Sequence, residues 1–370
     1  MGITSVRYYQ FRNICDCTID LDAPDVFLVG ENGQGKSNIL ESIYVLCYGS
    51  SFRTRREKHL VRHGEDEASL AGSMRIENEQ TLSIRVRLRP SGKEITVNDS
   101  PVGDRRDIIR NMPCIVFCHD DIRFVSGSPE DRRWFFNQTL SLYDDPFLDT
   151  WRRYVRILKS RNAALRGEQY ELLDAYDRQL AEAGKLLQER RTEASIRFSE
   201  QFAELYHRIS GFENPLTVEY RPSWRADSGD VDSIVRQLHE RRETDKRQRT
   251  TTSGPHRDRF LFMMGEREFT ETASTGQLRL VSLVLRVAQS RFFGRHSKRK
   301  PLLLLDDVML ELDPLRRARF FKSLPEYDQA IFTFLPDEQF SSLRKSDTLV
   351  YTVVDGAVYG TSGQDTAGTV

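Results

Sequence analysis

Two short stretches, far apart along the chain, restrict the fold more than any other feature of the sequence. The first fits the phosphate-loop pattern G-x-x-x-x-G-K-[ST], and its residues are Gly30, Glu31, Asn32, Gly33, Gln34, Gly35, Lys36 and Ser37. The apolar run 26–29 before it is typical of a buried strand, and apolar residues between 39 and 46 follow it at helical spacing. The sequence therefore predicts a strand, a glycine-rich loop and a helix in the order that a phosphate-binding fold requires.

The residue types in this loop indicate what it binds. Glycines allow backbone N–H groups to turn toward phosphate oxygens, and the N-terminus of the following helix adds a positive dipole. In this pattern Lys36 reaches the β- and γ-phosphates, and the hydroxyl of Ser37 is a ligand of Mg²⁺. We therefore expect ATP and Mg²⁺ as ligands, include Asn38 in the nucleotide-binding set, and expect Lys36 to lie on an exposed loop. A chance glycine-rich turn is the alternative.

The second stretch is a strand that ends in two acids. Four consecutive leucines at 302–305 predict a strand buried on both faces, as in a parallel sheet, and Asp306 and Asp307 follow it directly. Such a strand places carboxylates at the edge of the sheet where phosphates bind. Asp306 is therefore predicted to lie on the Mg²⁺ side, and Asp307 to polarise the attacking water. The alternative is a solvated turn after an ordinary strand.

Composition restricts the class of protein. The 370 residues suffice for one large domain or two smaller ones, and the formal net charge of +0 neither supports nor excludes a nucleic-acid partner. Basic residues cluster at 53–58, 241–249 and 291–300, each either a solvated face or a phosphate-binding surface. Five cysteines without a paired framework predict reduced thiols. No apolar run approaches the ~20 residues of a membrane span, so we expect a cytoplasmic protein with no membrane partner.

The order of the periodic segments predicts a mixed α/β architecture. After the loop helix, the segments 69–76, 82–88 and 94–97 are β-rich and separated by turn residues, which indicates an antiparallel lobe. Ser128-Pro129-Glu130-Asp131 has the residue order of a helix start. Apolar residues beyond it fall at helical spacing, with a turn at 166–168. We predict a helical hairpin or small bundle inserted between the two halves of the nucleotide site.

We accordingly divide the chain into a head that is interrupted by an arm. The divisions are an N-terminal half of the head at 1–130, a helical arm at 131–212, a C-terminal half of the head at 213–359 and a frayed tail at 360–370. The basic stretch 236–252 is interpreted as a linker, Asp313-Pro314 as a helix start, and Asp355-Gly356 as a two-residue hairpin turn.

Several further motifs keep a characteristic order and spacing. They are Phe11-Arg12-Asn13-Ile14, Ser51-Phe52-Arg53-Thr54, Val125–Arg133, Ser253-Gly254-Pro255-His256-Arg257-Asp258, Ser274-Thr275-Gly276-Gln277 and Glu311-Leu312-Asp313. Together with the phosphate loop and the acidic pair, they make the chain resemble the RecF family over nearly its whole length. This family comprises bacterial recombination-mediator ATPases of the ABC/SMC-like class.

The resemblance implies an ABC-type ATPase head, of which two copies enclose two ATP molecules. In that arrangement Ser274 and Gly276 touch the γ-phosphate held by the loop of the other subunit, which suits an anion at a helix N-terminus. The residues expected across the same interface are Gln277 and Asp313, and those expected near the nucleotide are Arg12 and Asn13. ATP would then hold the dimer together.

The chain departs from the general ABC pattern in ways that bear on catalysis. Ala273 and Thr275 stand where the ABC signature has leucine and glycine. Asp307 stands where most members carry glutamate, the usual histidine is missing from 330–334, and no clear Q-loop glutamine lies near Phe117. These departures imply slow ATP hydrolysis, which suits a switch more than a motor.

For function, the resemblance implies an ATP-dependent homodimer that binds duplex DNA or single-strand/double-strand junctions. It would act in recombinational repair and replication-gap processing with a RecR-type mediator as partner, and Arg53, Arg55 and Arg56 are candidates for the DNA contacts. Two alternatives stay open: an SMC-like or nuclease-linked ATPase, and the ATP-binding subunit of a transporter. The helical insertion disfavours the transporter, and the shortness of the arm disfavours a long SMC-like coiled coil.

Overall fold

The protein divides into two compact units. Its computed structural model describes residues 2–76, 80–104, 108, 112–224, 230–297, 299–308, 312–338 and 340–360. One unit comprises Met1–His119 with Lys298–Val370, and the other comprises Asp120–Ser297. The second unit joins the predicted arm to residues 213–297, which the sequence analysis assigned to the head. The predicted frayed tail beyond residue 360 lies outside the described residues.

Strands and helices are numbered in chain order. The strands are β1 (Gly2–Tyr9), β2 (Thr18–Asp20), β3 (Asp25–Val29), β4 (Ala68–Arg75), β5 (Thr81–Arg89), β6 (Gly92–Val97), β7 (Ser100–Pro101), β8 (Cys114–Phe117), β9 (Thr217–Arg221), β10 (Arg259–Met264), β11 (Arg267–Glu268), β12 (Leu302–Leu305), β13 (Ala330–Phe334), β14 (Leu349–Val354) and β15 (Ala357–Gly360). The helices are α1 (Lys36–Tyr48), α2 (Arg123–Ser126), α3 (Pro129–Ser141), α4 (Asp145–Arg166), α5 (Leu173–Ser210), α6 (Val231–Gln248), α7 (Thr275–Ser297) and α8 (Pro314–Ser323).

The first unit contains a largely parallel sheet of order β15-β14-β3-β13-β12-β8. Strands β14, β3, β13, β12 and β8 are parallel, and only the β14–β15 pair is antiparallel. All residues of β3 and β12 are buried, because both faces of a parallel sheet are covered. The predicted strand, loop and helix are confirmed, since β3 leads into the loop and α1 begins at Lys36.

An antiparallel sheet of order β2-β1-β4-β5-β6-β7 completes this unit and confirms the predicted antiparallel lobe. Side chains of β4 and β5 alternate between buried and more exposed positions, as expected for a sheet with one covered face. The covered face packs on α1. A Cβ added to Gly72 of β4 would lie 2.7 Å from Cδ1 of Leu46, so the sheet approaches the helix as closely as glycine allows.

The second unit contains the predicted helical hairpin and a small antiparallel sheet of order β11-β10-β9. Helices α4 and α5 pack together on either side of the turn that follows Arg166. Helix α3 begins as predicted at Pro129, where the side chains of Ser128 and Asp131 form a reciprocal capping box. Although α5 is 38 residues long, no helix among the residues described is long and apolar enough to cross a membrane.

The interpretation of residues 236–252 as a linker was wrong, because most of this stretch belongs to α6. Its buried residues are Ile234, Leu238 and Asp245. Two apolar residues one turn apart, in a helix otherwise rich in charge, give a weak periodic signal. Asp245 is anchored by a hydrogen bond of 2.7 Å from Nη1 of Arg161, a contact that no local pattern reveals.

Candidate functional site

The predicted phosphate loop closes over the end of β3, and its glycines have separate roles. Gly33 and Gly35 have φ angles of +81° and +112°, a left-handed region that favours glycine. Gly30 has a different constraint: a Cβ at this position would lie 2.3 Å from the carbonyl oxygen of Val353 on β14. Two glycines therefore serve the turn, and the third allows a neighbouring strand to approach.

Lys36 is folded over this loop. Its Nζ donates to the carbonyl oxygens of Gly30, at 2.5 Å, and Glu31, at 3.0 Å. The residue is only 4 % exposed, so the expectation of an exposed Lys36 was wrong. Carbonyl oxygens at the end of the strand stabilise the charge in this buried position. Because an ammonium has three N–H donors, one is left for a phosphate oxygen beside these two bonds.

The loop meets the predicted acidic pair directly. Oγ of Ser37 donates to Oδ1 of Asp306 at 2.8 Å, although the two residues are 269 positions apart in the chain. Thr333, buried on β13, lies between the two acids: its Oγ1 is 3.2 Å from Oδ1 of Asp306 and 2.9 Å from Oδ1 of Asp307. The backbone N–H of Asp307 donates to the same Oγ1 at 2.8 Å. Thr333 is thus a site residue that the sequence analysis missed.

The electrostatics of the acidic pair suit a cation. Burial, and then the neighbouring charge of Asp307, raises the pKa of Asp306 to about 6. Asp307 has a φ angle of +51°, which is uncommon for a residue with a side chain and marks local backbone strain. Carboxylate and hydroxyl oxygens are the ligands that Mg²⁺ prefers. Asp306 and Ser37 are therefore the residues that fit a Mg²⁺ ion beside the loop.

A buried acid on α1, Glu41, organises the residues around the loop. Arg12 donates to its two carboxylate oxygens from Nε and Nη2, both at 2.9 Å, and Ser51 donates to it from Oγ. Nη1 of Arg53 lies 3.7 Å from the same carboxylate. Glu41 is fully buried, and such a charge requires paired partners. No periodic signal in the sequence marks Glu41, because it lies on the opposite side of the helix from Ile39, Ile43 and Leu46.

Predicted residues Asn13 and Asn38 join this cluster. Nδ2 of Asn38 donates to Oδ1 of Asn13 at 2.7 Å, and Nη1 of Arg53 donates to Oδ1 of Asn38 at 2.7 Å. Arg53 therefore lies beside the start of α1. Arg55 and Arg56, predicted with it as DNA contacts, are exposed on the segment that follows.

The hairpin turn at the end of β14 supports the loop from its other side. The backbone N–H of Gly356 donates to the carbonyl oxygen of Gln34 at 2.9 Å, and the N–H of Asp355 donates to the Gln34 side chain. The predicted hairpin is confirmed, but no signal in the sequence connected it to the phosphate loop.

The predicted trans-subunit residues occupy helix starts. In the second unit, the backbone N–H of Ser274 donates to Oε1 of Gln277 at 2.8 Å, and the N–H of Gln277 lies 3.3 Å from Oγ of Ser274. Gly276 is exposed with open space beside it. In the first unit, Asp313 caps α8, and its bonds from the backbone N–H groups of Arg316 and Leu315 lower its pKa. Contact of these residues with a partner's nucleotide stays a prediction.

Comparisons with known sequences identify a matching family model and several related proteins. The family model described as RecF/RecN/SMC N terminal domain matches residues 2–356. The chain is 40 % identical over 350 residues to the DNA replication and repair protein RecF of Treponema pallidum (strain Nichols). The alignment covers 95 % of this chain and 99 % of that relative. It is 31 % identical over 360 residues to the protein of the same name from Trichlorobacter lovleyi, covering 96 % and 97 % of the two chains.

Solved structures give the same result. The chain resembles the recombination mediator protein RecF with ATP, of the RecFOR pathway, with a TM-score of 0.86, 25 % identity and 97 % coverage of both chains. It also resembles an SMC head bound to the C-winged helix domain of ScpA, with a TM-score of 0.57, 18 % identity and 97 % coverage of both chains. The second likeness concerns the fold alone. The predicted fold class, an α/β ATPase head with mixed sheets and a helical insertion, is confirmed.

Proposed function

The chain belongs to the RecF family of DNA replication and repair proteins, and from this premise we propose that it is an ATP-dependent DNA-binding protein of recombinational repair. It binds duplex DNA or single-strand/double-strand junctions at replication gaps as an ATP-held homodimer, and it acts with a RecR-type mediator in the cytoplasm. One observation carries the proposal: the bond of 2.8 Å between Ser37 and Asp306, which joins the two halves of a nucleotide site.

Binding of Mg·ATP has the most direct structural support. The glycine turn, Lys36 and the N-terminus of α1 supply donors and positive charge for phosphates. Ser37 and Asp306 supply oxygen ligands for Mg²⁺, which when bound would neutralise charge on the phosphates. A relative of 25 % identity has been solved with ATP, which supports ATP as the nucleotide.

Hydrolysis is proposed to be slow, so that ATP acts as a switch. Asp307, the candidate for polarising water, is held by two contacts to Thr333. Its side chain is one methylene shorter than the glutamate usual in ABC enzymes, and its backbone is in the left-handed region. The shorter side chain limits how far the carboxylate reaches toward an attacking water.

The dimer is proposed to form through the turn at Ser274. This turn is exposed, neutral and free of bulk at Gly276, as required of a surface that closes over a γ-phosphate held by another subunit. Arg55 and Arg56 remain candidates for DNA contacts. Arg53, which contacts Asn38 and Glu41, is better placed to act near the nucleotide.

The test is sedimentation of the protein with and without ATP and a gapped duplex, for the wild type and two variants. Lys36→Met should abolish ATP binding and dimerisation without unfolding the protein. Ser274→Arg should bind ATP as a monomer but fail to dimerise. Because each variant damages the opposite half of a composite site, mixing them should restore one site per heterodimer. Dimerisation of Ser274→Arg with ATP at wild-type affinity would refute the ATP-enclosing arrangement.

A further inference from the structure

The uncovered face of the antiparallel sheet contains a groove that the nucleotide site does not use. Strand register places Arg7 of β1, Ala71 of β4 and Arg85 of β5 in one row across the sheet. The next row consists of Tyr9, Ser69 and Arg87. Because the middle strand contributes small side chains and its two neighbours contribute large ones, the surface forms a groove of about 890 Å³.

Four arginines line the groove, and the three on β5 have distant acidic partners. Side chains of Arg85, Arg87 and Arg89 are 40 %, 40 % and 47 % exposed. Their ion pairs, with Asp99, Glu94 and Glu67, have N–O distances of 3.6–3.8 Å. Exposed pairs of this length contribute little to stability. These guanidinium groups are therefore able to exchange a carboxylate for a phosphate, which they bind through paired N–H donors.

Arg7 adds a cation from the opposite wall. It is exposed, and among the described residues its guanidinium group has no hydrogen bond or ion pair. Two acids, Asp16 and Glu67, also line the groove. Nη2 of Arg62 lies 2.6 Å from Asp16, so the charge of this acid is already compensated. The lining therefore has an excess of positive charge, although the whole chain is neutral.

The width of the groove selects the form of its ligand. Neighbouring strands are about 4.8 Å apart, so the backbones of β1 and β5, one on each side of β4, are separated by roughly 10 Å. That space accepts one extended polymer strand but is too narrow for a duplex, whose major groove alone is about 12 Å wide. Alternate residues along β5 place successive arginines about 7 Å apart, a row of cations that follows the direction of such a strand.

An aromatic ring in the wall indicates which polymer. Tyr9 is 45 % exposed and stands in the row that contains Arg87. Proteins that bind single-stranded nucleic acid combine a cationic groove with aromatic rings on which bases stack. An acidic peptide would engage the arginines but would not require the ring. We propose that this groove binds a single strand of nucleic acid. In a single-strand/double-strand junction, the groove binds the single-stranded part. The inference rests on the proposed function for the identity of its ligand.

The test uses direct binding of a labelled oligodeoxythymidine of about 16 nucleotides, the upper site size of single-strand binding folds. Two charge reversals, R85E and R87E, combined in one protein, should weaken binding by about 10-fold or more at low salt. Tyr9→Ala should weaken it by at least about 5-fold, the loss expected for one stacked base, and Tyr9→Phe should retain it. Blunt duplex binding and ATP-driven dimerisation should be unchanged in every variant.

A matched control carries the same charge change elsewhere. R197E with R208E alters two exposed arginines on α5 that are each paired with a glutamate one turn before. This control should bind the oligonucleotide within about 2-fold of wild type, since exposed ion pairs contribute little. Should R85E with R87E perturb folding, Tyr9→Ala and its Tyr9→Phe control decide the question without a change of charge.

The outcomes separate this inference from the proposed function. Groove variants that bind the oligonucleotide like wild type, while all proteins bind blunt duplex with ATP, would overturn the groove and leave the proposed function intact. Wild type that fails to bind duplex or junction DNA with ATP would overturn the proposed function, and the oligonucleotide assay would still decide the groove. Displacement of the oligonucleotide by polyglutamate, with no effect of Tyr9→Ala, would identify a peptide site and refute the nucleic-acid assignment.

Discussion

Two aspartates, the buried Asp258 of the second unit and the half-buried Asp306 of the first, have opposite surroundings. Asp258 in the second unit receives hydrogen bonds from Nη1 of Arg191 at 2.6 Å, Nε2 of Gln188 at 3.0 Å and the backbone N–H of Ser223 at 2.7 Å. Tyr220 donates a further hydrogen bond from its hydroxyl. One full cationic partner and three neutral donors therefore surround a single carboxylate.

Asp306 in the first unit is bonded only by neutral hydroxyls within the described residues. Ser37 and Thr333 supply these bonds, and Asp307 places a second carboxylate beside it. Its pKa is raised to about 6, by burial first and by Asp307 second. Burying charge without a partner is unfavourable. Asp258, which has a complete set of donors, joins α5 to β9, whereas Asp306 has no cation bonded to it within the described residues and fits a metal ion as its partner.

The largest expected effect concerns Asp258, whose donors include the cation of Arg191. Arg191→Met leaves Asp258 buried without its cation, and breaking a buried pair in this way should cost about 3–5 kcal/mol of unfolding free energy. Denaturant unfolding followed by tryptophan fluorescence measures it, because all three tryptophans, at 134, 151 and 224, lie in this unit. The exposed Arg197 gives the control Arg197→Met. A loss of unfolding free energy below about 1 kcal/mol would show that Asp258 does not depend on its cation, and the contrast with Asp306 would fail.

The next effect concerns Asp306, to which no cation is bonded within the described residues. Asp306→Asn removes a half-buried negative charge that has no bonded cation in the described part of the chain, so the nucleotide-free protein should not lose stability, yet its affinity for Mg·ATP should fall by about 10- to 100-fold. Asp307→Asn should retain ATP and accumulate as the ATP-bound dimer, because only the water-positioning carboxylate is altered. Binding of a fluorescent ATP analogue and sedimentation measure the two properties. Equal losses of ATP affinity in both variants would remove the distinction between the two acids.

Acid should weaken the second unit through His256, which lies near Asp258. Burial lowers the pKa of His256 to about 4, and its Nδ1 is 2.6 Å from the hydroxyl of Tyr154. Between the ordinary pKa of about 6.5 and this value the unfolded chain binds a proton that the folded chain does not, so stability falls with pH by about 2 kcal/mol from pH 7 to pH 5.

Denaturant unfolding at the two pH values measures this slope. His256→Gln lacks the titrating ring and should lose most of the difference between the two conditions, while its stability at neutral pH reports any loss of packing. An unchanged slope in the variant would assign the acid sensitivity to other groups.

The smallest effect concerns Ser274, whose side chain caps α7 in the second unit. Ser274→Ala should lower the unfolding free energy by about 1 kcal/mol through loss of this cap. Thr275→Ala is the neighbouring control. If Ser274→Ala instead leaves stability unchanged and weakens only ATP-driven dimerisation, the hydroxyl binds a ligand and does not stabilise the helix. Ser274 would then resemble Asp306, a polar group whose partner is a ligand.

Contiguous motifs predicted the centre of the nucleotide site. The strand before Gly30, the loop itself and the acidic pair at Asp306 are each encoded in a few neighbouring residues, and the rules for parallel sheets bring them to one edge. The antiparallel lobe and the helical hairpin followed from periodicities of two and of 3.6 residues. The family resemblance placed Arg12 and Asn13 near the nucleotide; they contact Glu41 and Asn38 of α1, and their contact with a nucleotide stays a prediction.

The remainder depends on contacts between distant parts of the chain. Glu41 becomes a hub only because Arg12 and Ser51 fold against it, and Thr333 becomes a site residue only because β13 lies beside β12. The groove arises from the register of β1, β4 and β5, and the sequence of any one of these strands alone does not indicate it. The separation of residues 213–297 from the head likewise follows from packing along α5 and α7, which local sequence does not describe.

The support of the phosphate loop by Gly356 has a consequence for the synthesis of the protein. The loop is synthesised before β13 and β14, the two strands that flank β3, and the contact of Gln34 with Asp355 spans 321 positions. At about 5–20 residues per second, this partner follows the loop after roughly 15–65 s of translation. A nascent chain therefore has no finished nucleotide site until Gly356 has been synthesised. Chains that terminate before Asp355 should neither retain ATP nor enter dimers as defective subunits.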